Sequence, residues 1–358
     1  MEKLKLFIPG PTYVHPDVLA KMGTPMMGHR TPEASTLQRN ISDKLRQLMF
    51  TTNKIILSTS SGTGLMEGAI RSATKKRAIV FSVGAFGKRW HELAILNGIE
   101  ADLHEEISGH PTLPATVDKY LKTGKYDVVT LTHNETSTGI MNPIDSIAEI
   151  IKKYPDVVWL VDTVSSLGGA KIEVDRLGID VCISSSQKAL ALPPGLALAS
   201  VSPKAEERFK KIGHRGYYLD FLTLCEFIDK KDHQYSCTPS LSHMFAMDFQ
   251  LNRIMKEGIE NRFIRHIEMA EYVINWANHF FKVHAMPGFE SMTVTTIENT
   301  KDIKVANLNA ELLKENMVIA NGYNELKNKT FRIAHMGEIT LDDVIEVTSS
   351  IERILKLN

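Results

Sequence analysis

Cysteine is scarce. Cys182, Cys225 and Cys237 are too few and too widely spaced for a disulfide framework or a zinc knuckle, and they read as buried or idle thiols in a reducing cytoplasm. The 13 histidines include no HExxH pair, so no metal-ligand spacing is on offer. No stretch approaches the roughly 18 uninterrupted apolar residues that cross a bilayer. The apolar run before Pro9, Gly10 and Pro11 is too short for a signal peptide. Charge of one sign is also missing: 42 basic side chains balance 42 acidic ones. That removes the electrostatic footprint of a nucleic-acid or anionic-membrane binder. The expectation is a cytoplasmic protein with no nucleic-acid or membrane partner, acting on a small neutral or zwitterionic molecule.

What is present is ordinary for a globular chain. Of 358 residues, 43% are apolar and 23% charged, enough for a large core divided between two domains. The middle of the sequence alternates strand-like and helix-like segments. Residues 54–59, 77–83, 127–132, 157–161, 181–184 and 196–202 read as strands, and residues 64–74, 91–97 and 143–154 as helices. Strands that are continuous apolar runs between helices indicate an α/β fold, with a mostly parallel sheet covered on both faces. After about residue 245 the texture changes. Residues 243–282 are long and helical, and a strand, helix, strand, helix series follows (291–297, 306–315, 330–334, 341–357). This predicts a smaller α+β unit packed closely against the first.

Ligands of such sheets bind beyond the carboxyl ends of the strands. Ser61, Thr132, His133, Asp162 and Lys188 all fall at or just past predicted strand ends. Lys188, in SSSQKALALPPG, is flanked by Ala189, Leu190 and Ala191. Desolvation there lowers a lysine pKa and frees the amine as nucleophile or base, whereas most lysines are solvated surface charges. Asp162 closes the apolar run VVWLV, where a carboxylate is costly unless paired. One partner is a cationic ring nitrogen; the plainer alternative is a helix N-cap. An acid facing a pyridinium nitrogen and a lysine able to form a Schiff base are a protein's two electronic contributions to pyridoxal phosphate chemistry. Upstream, Ser60-Ser61-Gly62-Thr63-Gly64 lies between a strand and a helix, as a phosphate cradle does.

These segments carry a resemblance. PGPT, MGHRTPE, SSGTG, VGAFGKRW, THNETSTG, VDTVSSLGG, SSSQKALALPPG, QYSCTPS and FRIAHMG follow one another nearly end to end. The chain resembles the class V (fold type I) pyridoxal-phosphate aminotransferases, and within them the alanine–glyoxylate and serine–pyruvate or serine–glyoxylate branch. The resemblance implies a seven-stranded, mostly parallel sheet in a large domain (16–245). It also implies a small α+β domain (246–358) that an N-terminal segment (1–15) joins. Lys188 would bond covalently to pyridoxal 5'-phosphate and shuttle a proton, and Asp162 would hold the ring nitrogen protonated. Ser61, Gly62, Thr63 and Gln187 would hold the phosphate, Thr136 would sit near the ring hydroxyl, and Phe86 would stack on the ring where many relatives have tryptophan. Tyr235 and Thr238 would reach the phosphate of a neighbouring subunit, which implies a homodimer. Gly10 and Arg332 would contact substrate, Arg332 by gripping its carboxylate.

Plainer readings stand beside these. Phe86 could fill core, Tyr235 could be an ordinary surface tyrosine, and Arg332 could form a structural ion pair. Trp90, Trp159 and Trp276 read as packing residues. His29 and Arg30 lie in a loop that the family brings near its site, and neither Arg30 nor Arg215 is excluded as a second anion-binding residue. The expected substrates are alanine or serine as donor and glyoxylate or pyruvate as acceptor. Phosphoserine, aminoethylphosphonate and ureidoglycine transamination are alternatives on the same scaffold. Cysteine desulfuration through Cys225 or Cys237 and a non-catalytic scaffold subunit are further rivals.

Overall fold

The computed structural model describes residues 4–357, so Met1 to Lys3 of the expected N-terminal segment lie outside the described residues. Six runs expected as strands form at Lys54–Ser58, Ala78–Ser82, Val128–Thr132, Val158–Asp162, Val181–Ser185 and Ala197–Val201. With Ala101–Glu105, which is not among the expected strands, they make a seven-stranded sheet in which only Ala197–Val201 runs opposite to the other six strands. Alternate residues of each strand feed two separate cores. Ile55, Leu57, Trp159 and Val161 enter one, while Ile56, Val158 and Leu160 enter the other. Period-two side-chain alternation with both faces covered explains why these strands read as unbroken apolar runs.

A second sheet of five strands, ordered Lys5–Phe7, Met317–Asn321, Thr330–Ala334, Val294–Glu298 and Lys282–Val283, has its own core around Phe331, Ile333 and Val344. Lys5–Phe7 pairs in parallel with Met317–Asn321 at its edge. The helical stretch expected over 243–282 is two helices, Leu241–Glu257 and Ile259–Phe280, parted at Gly258 with φ +90°. Residue 245, the expected domain boundary, falls inside the first of them.

Several elements carry little apolar signal of their own. Helix Pro32–Met49 begins on the Thr31 cap and keeps its buried aliphatic stripe to its second half, at Ile41, Leu45 and Leu48. Ala101–Glu105 is a sheet-edge strand with Asp102, His104 and Glu105 in five residues.

The two sheets meet at Arg262, whose side chain is 1% exposed. Its guanidinium donates to the carbonyls of Gly168 (2.9 Å), Ala189 (2.7 Å) and Gly337 (3.2 Å) and pairs with Glu257 (2.6 Å). One planar fork thereby ties the loop after Asp162, the segment after Lys188 and the loop after Thr330–Ala334. Replacing it strips the buried Gly168 and Ala189 carbonyls of this donor and removes one cation from Glu257, which keeps Arg265 at 2.8 Å. Arg262→Ala is expected to cost about 3–5 kcal/mol, read as a lower urea midpoint with an unchanged denaturant slope.

Candidate active site

A cavity of about 170 Å³ opens at the carboxyl ends of the parallel strands. Ser61, Gly62, Thr63, Phe86, Thr136, Asp162, Gln187 and Lys188 all line it, so eight positions singled out in the sequence converge on one space. At its floor, Thr132 and Asp162 are register partners on adjacent strands. Asp162 is 4% exposed. Its Oδ1 accepts the Val164 N–H at 2.8 Å, and its Oδ2 has only a long contact with the Thr132 hydroxyl, 3.4 Å. The segment after it is a turn, not a helix, so the N-cap reading does not hold. Burial, opposed by the Val164 bond, aided by the buried Glu135 carboxylate and opposed by Lys188 and Thr132, leaves the Asp162 carboxyl raised to about 7. A buried carboxylate with spare acceptor capacity and no ion pair suits a cationic N–H donor such as a protonated pyridine ring.

Lys188 follows the strand end Ser184-Ser185 and the turn Ser186-Gln187, and precedes the fully buried Ala189 and Ala191. Burial lowers its amine to about 8; Asp162 raises it and Arg332 lowers it. Its Nζ donates to the Pro9 carbonyl. The Thr12 hydroxyl and N–H donate to the carbonyls of Lys188 (2.9 Å) and Gln187 (3.1 Å). Residues 9–12 therefore strap the lysine from outside the large sheet. Gly10 lies so close that a Cβ there would sit 2.7 Å from Lys188 Cδ and 2.9 Å from Nζ.

At the opposite end of the cavity helix Gly62–Ala73 begins on the Ser61 cap. The first-turn N–H groups of Gly62 and Thr63 have no intrahelical acceptor, and the helix dipole adds positive potential there. A Cβ on Gly62 would meet Val164 Cγ2 at 2.6 Å, so only glycine brings this turn against the wall beside Asp162. The residues present thus fit a phosphate at one end and a protonated ring nitrogen at the other.

Some expected residues take other partners. Arg332, on the strand Thr330–Ala334, donates to the carbonyls of Asn321 (3.0 Å) and Thr136 (2.9 Å). It makes no ion pair among the described residues, which removes the structural ion-pair reading; burial lowers it to about 10. Phe86 lines the cavity and stacks on Tyr323, with centroids 5.8 Å apart and planes 24° apart. Tyr235 and Thr238 are not brought to this cavity. They line a separate shallow depression with Tyr218, and the buried Tyr235 hydroxyl donates to Gln38. His29, Arg30 and Arg215 do not line the cavity either, and Arg215 pairs with Asp220 at 2.7 Å. Nor does any cysteine: Cys182 and Cys225 are buried, and burial raises both thiols, Cys182 to about 12.

Three participants escaped sequence reasoning. Glu135 is fully buried. Its carboxylate accepts the backbone N–H groups of Phe86 (2.9 Å) and Gly87 (3.0 Å), as well as the Ser137 N–H (3.1 Å) and hydroxyl (2.6 Å). Burial raises it, and these four bonds oppose the shift. It fixes the helix turn that carries Phe86. Asn134 lines the cavity with a buried Oδ1 that has no partner. Arg89 lines it too, with its guanidinium 5.1 Å from the Phe86 ring and no carboxylate within ion-pair distance among the described residues. Their signals were a charged or amide residue inside NETS and an arginine one turn after Phe86; neither distinguishes a site residue from a surface one.

The family model of the class-V aminotransferases matches residues 14–323. The chain belongs to the class-V aminotransferases. An uncharacterized aminotransferase of Methanocaldococcus jannaschii is 38% identical over 99% of this chain and 93% of its own length. Alanine–glyoxylate aminotransferase of rabbit (Oryctolagus cuniculus) is 35% identical over 74% of this chain and 69% of its own length. Among solved structures, an alanine–glyoxylate aminotransferase from Nostoc sp. superimposes with a TM-score of 0.92 at 27% identity, covering 99% of this chain and 96% of that one. This aminotransferase is a fold type I enzyme dependent on pyridoxal phosphate, and among its described residues no helix is long and apolar enough to cross a membrane.

With an amine pKa near 8, cofactor-free enzyme should capture a simple aldehyde at Lys188 about tenfold faster at pH 9 than at pH 7, because only the neutral amine attacks. Cyanoborohydride trapping and peptide mass spectrometry follow it. Asp162→Ala should move the midpoint down, since the Asp162 carboxylate favours the charged amine. A midpoint near 10 would show that Lys188 is solvated.

Proposed function

We propose that the enzyme moves the amino group of alanine or serine to glyoxylate or pyruvate in two half-reactions. The observation that carries this reading is the convergence of Lys188, Asp162 and the Ser61–Thr63 turn on one small cavity, with Arg332 bonded to its wall at Thr136. Pyridoxal phosphate, when bound, supplies an aldehyde that takes up the amino group and a ring that accepts the electron pair left at Cα. The remaining work falls to the chain. Ser61, Gly62, Thr63 and Gln187 would hold the phosphate. Asp162 would keep a proton on the ring nitrogen, Thr136 would lie by the ring hydroxyl, and Phe86 would cover a ring face. Lys188 Nζ is the amine that would hold the aldehyde, and, when free, the base that would take the donor's Cα proton and return it.

Arg332 grips the donor carboxylate with two N–H groups, exchanging two carbonyl acceptors for a charged one. Gly10 lets substrate and lysine lie close together. One carboxylate grip in so small a cavity suits short monocarboxylic donors. Glyoxylate as acceptor is in keeping with the names of the rabbit and Nostoc relatives. Tyr235 and Thr238 serve the phosphate of a neighbouring copy, so the working unit is a homodimer, placed in the cytoplasm.

One observation favours a second reading. Arg89 faces the cavity with no carboxylate partner among the described residues, and an unpaired guanidinium there can take a second anionic group. Phosphoserine or aminoethylphosphonate would supply one. A donor–acceptor matrix followed by bleaching of the cofactor band separates the readings: alanine or serine with glyoxylate should yield glycine at a rate well above that of phosphorylated donors. Lys188→Ala should abolish both the visible band and borohydride-stable labelling. Asp162→Ala should keep the band and lower turnover by about 10²–10⁴-fold. Wild-type enzyme silent towards alanine and serine would refute the substrate assignment.

A further inference from the structure

Two free volumes meet at Phe86 and Tyr323. Phe86 lines the inner cavity of about 170 Å³, whereas Tyr323 lines an outer cleft of about 350 Å³ with Lys88, Ser137 and Asn324. The two rings are stacked, 5.8 Å apart and 24° from parallel, so the pair forms the partition between the volumes. The partition is held from both sides. Glu135 fixes the backbone at Phe86 and Gly87, and the Arg332 guanidinium lies 5.7 Å from the Tyr323 ring centre. Behind Tyr323 the chain turns tightly: Gly322 N–H donates to the Thr330 carbonyl (2.9 Å), and Leu326 N–H donates to the Tyr323 carbonyl (3.0 Å). The Tyr323 hydroxyl makes no hydrogen bond with the described residues, so the ring rather than the phenol makes the contacts.

We propose that Tyr323 is a specificity-determining residue, its ring closing the substrate end of the cavity and limiting how long a donor side chain can be. This rests on Arg332 being the carboxylate grip. A donor held there with its amino group towards Lys188 has its Cα beside the partition. Its side chain must then share the inner volume with the cofactor or enter the outer cleft, and Tyr323 bars the second route. Removing the ring leaves Phe86 alone between the two volumes, with vacated space behind it into which it can turn and a longer side chain can push; removing only the hydroxyl leaves the wall standing.

The test uses holoenzyme and single-turnover bleaching of the cofactor band with a short and a long donor, alanine and methionine. In Tyr323→Ala the methionine-to-alanine ratio of kcat/KM should rise at least about tenfold, and in Tyr323→Phe it should stay within about twofold of wild type. An unchanged ratio in Tyr323→Ala with a wild-type melting temperature overturns the proposal, as does a Tyr323→Phe ratio shifted as far as that of Tyr323→Ala. Should Tyr323→Ala fail to fold, Tyr323→Leu is held to the same criterion. If wild type ignores alanine but bleaches with acidic donors, the substrate reading fails on its own. The partition is then judged by the same ratio for 2-aminoadipate against aspartate.

Discussion

A carboxylic acid and an amine, both withdrawn from water at the ends of parallel strands without forming an ion pair, set the terms for the rest of this site. Each pays a desolvation cost that a direct salt bridge would largely offset. The chain keeps them apart instead. Asp162 is left with a backbone N–H and a distant hydroxyl, and Lys188 with the Pro9 carbonyl. Groups left so poorly compensated are predisposed towards something that brings a positive ring nitrogen to one and an aldehyde to the other. The resulting pKa values, about 7 and about 8, place both protons where modest changes in surroundings can move them.

That arrangement needs support from distant parts of the chain. The strap at residues 9–12 follows a strand of the second sheet yet bonds to the backbone and side chain of Lys188. Arg262 bonds to Ala189, one residue beyond the lysine, and to the loop that follows the strand of Arg332. The amine and the carboxylate grip are therefore braced by the same buried guanidinium. Movement between the sheets would alter their separation, so a rigid junction is a condition of the chemistry as well as of stability. Glu135 performs the corresponding task for Phe86, meeting the free N–H groups of a helix start with a buried charge.

The thiols and tryptophans show what burial leaves for packing alone. Cys182 and Cys225 are held in the neutral form by burial, and no cysteine lines this chain's cavity. Trp90 and Trp159 fill the cores on either side of the large sheet, whereas Trp276 also donates to Glu352 at 2.8 Å.

By itself the sequence determined six of the seven strands of the large sheet, because a strand buried on both faces must be largely apolar along its length. A polar residue at its end then marks the ligand edge. Thr330–Ala334 was legible to the residue, and Val158–Asp162 to within one. Charged edge strands and half-polar helices were not, since their burial depends on neighbours rather than on their own pattern. Lys188, Asp162 and the Ser61–Thr63 turn could be named in advance because their chemistry is written in residue type and position after a strand. Only the tertiary structure decided that Arg332 is bonded to carbonyls, that Phe86 faces Tyr323, and that Glu135, Asn134, Arg89 and Arg262 matter. Those facts are contacts between residues that can lie nearly 200 positions apart, as Arg332 and Thr136 do. A one-dimensional pattern records what a residue can do, whereas its neighbours across the fold determine what it does.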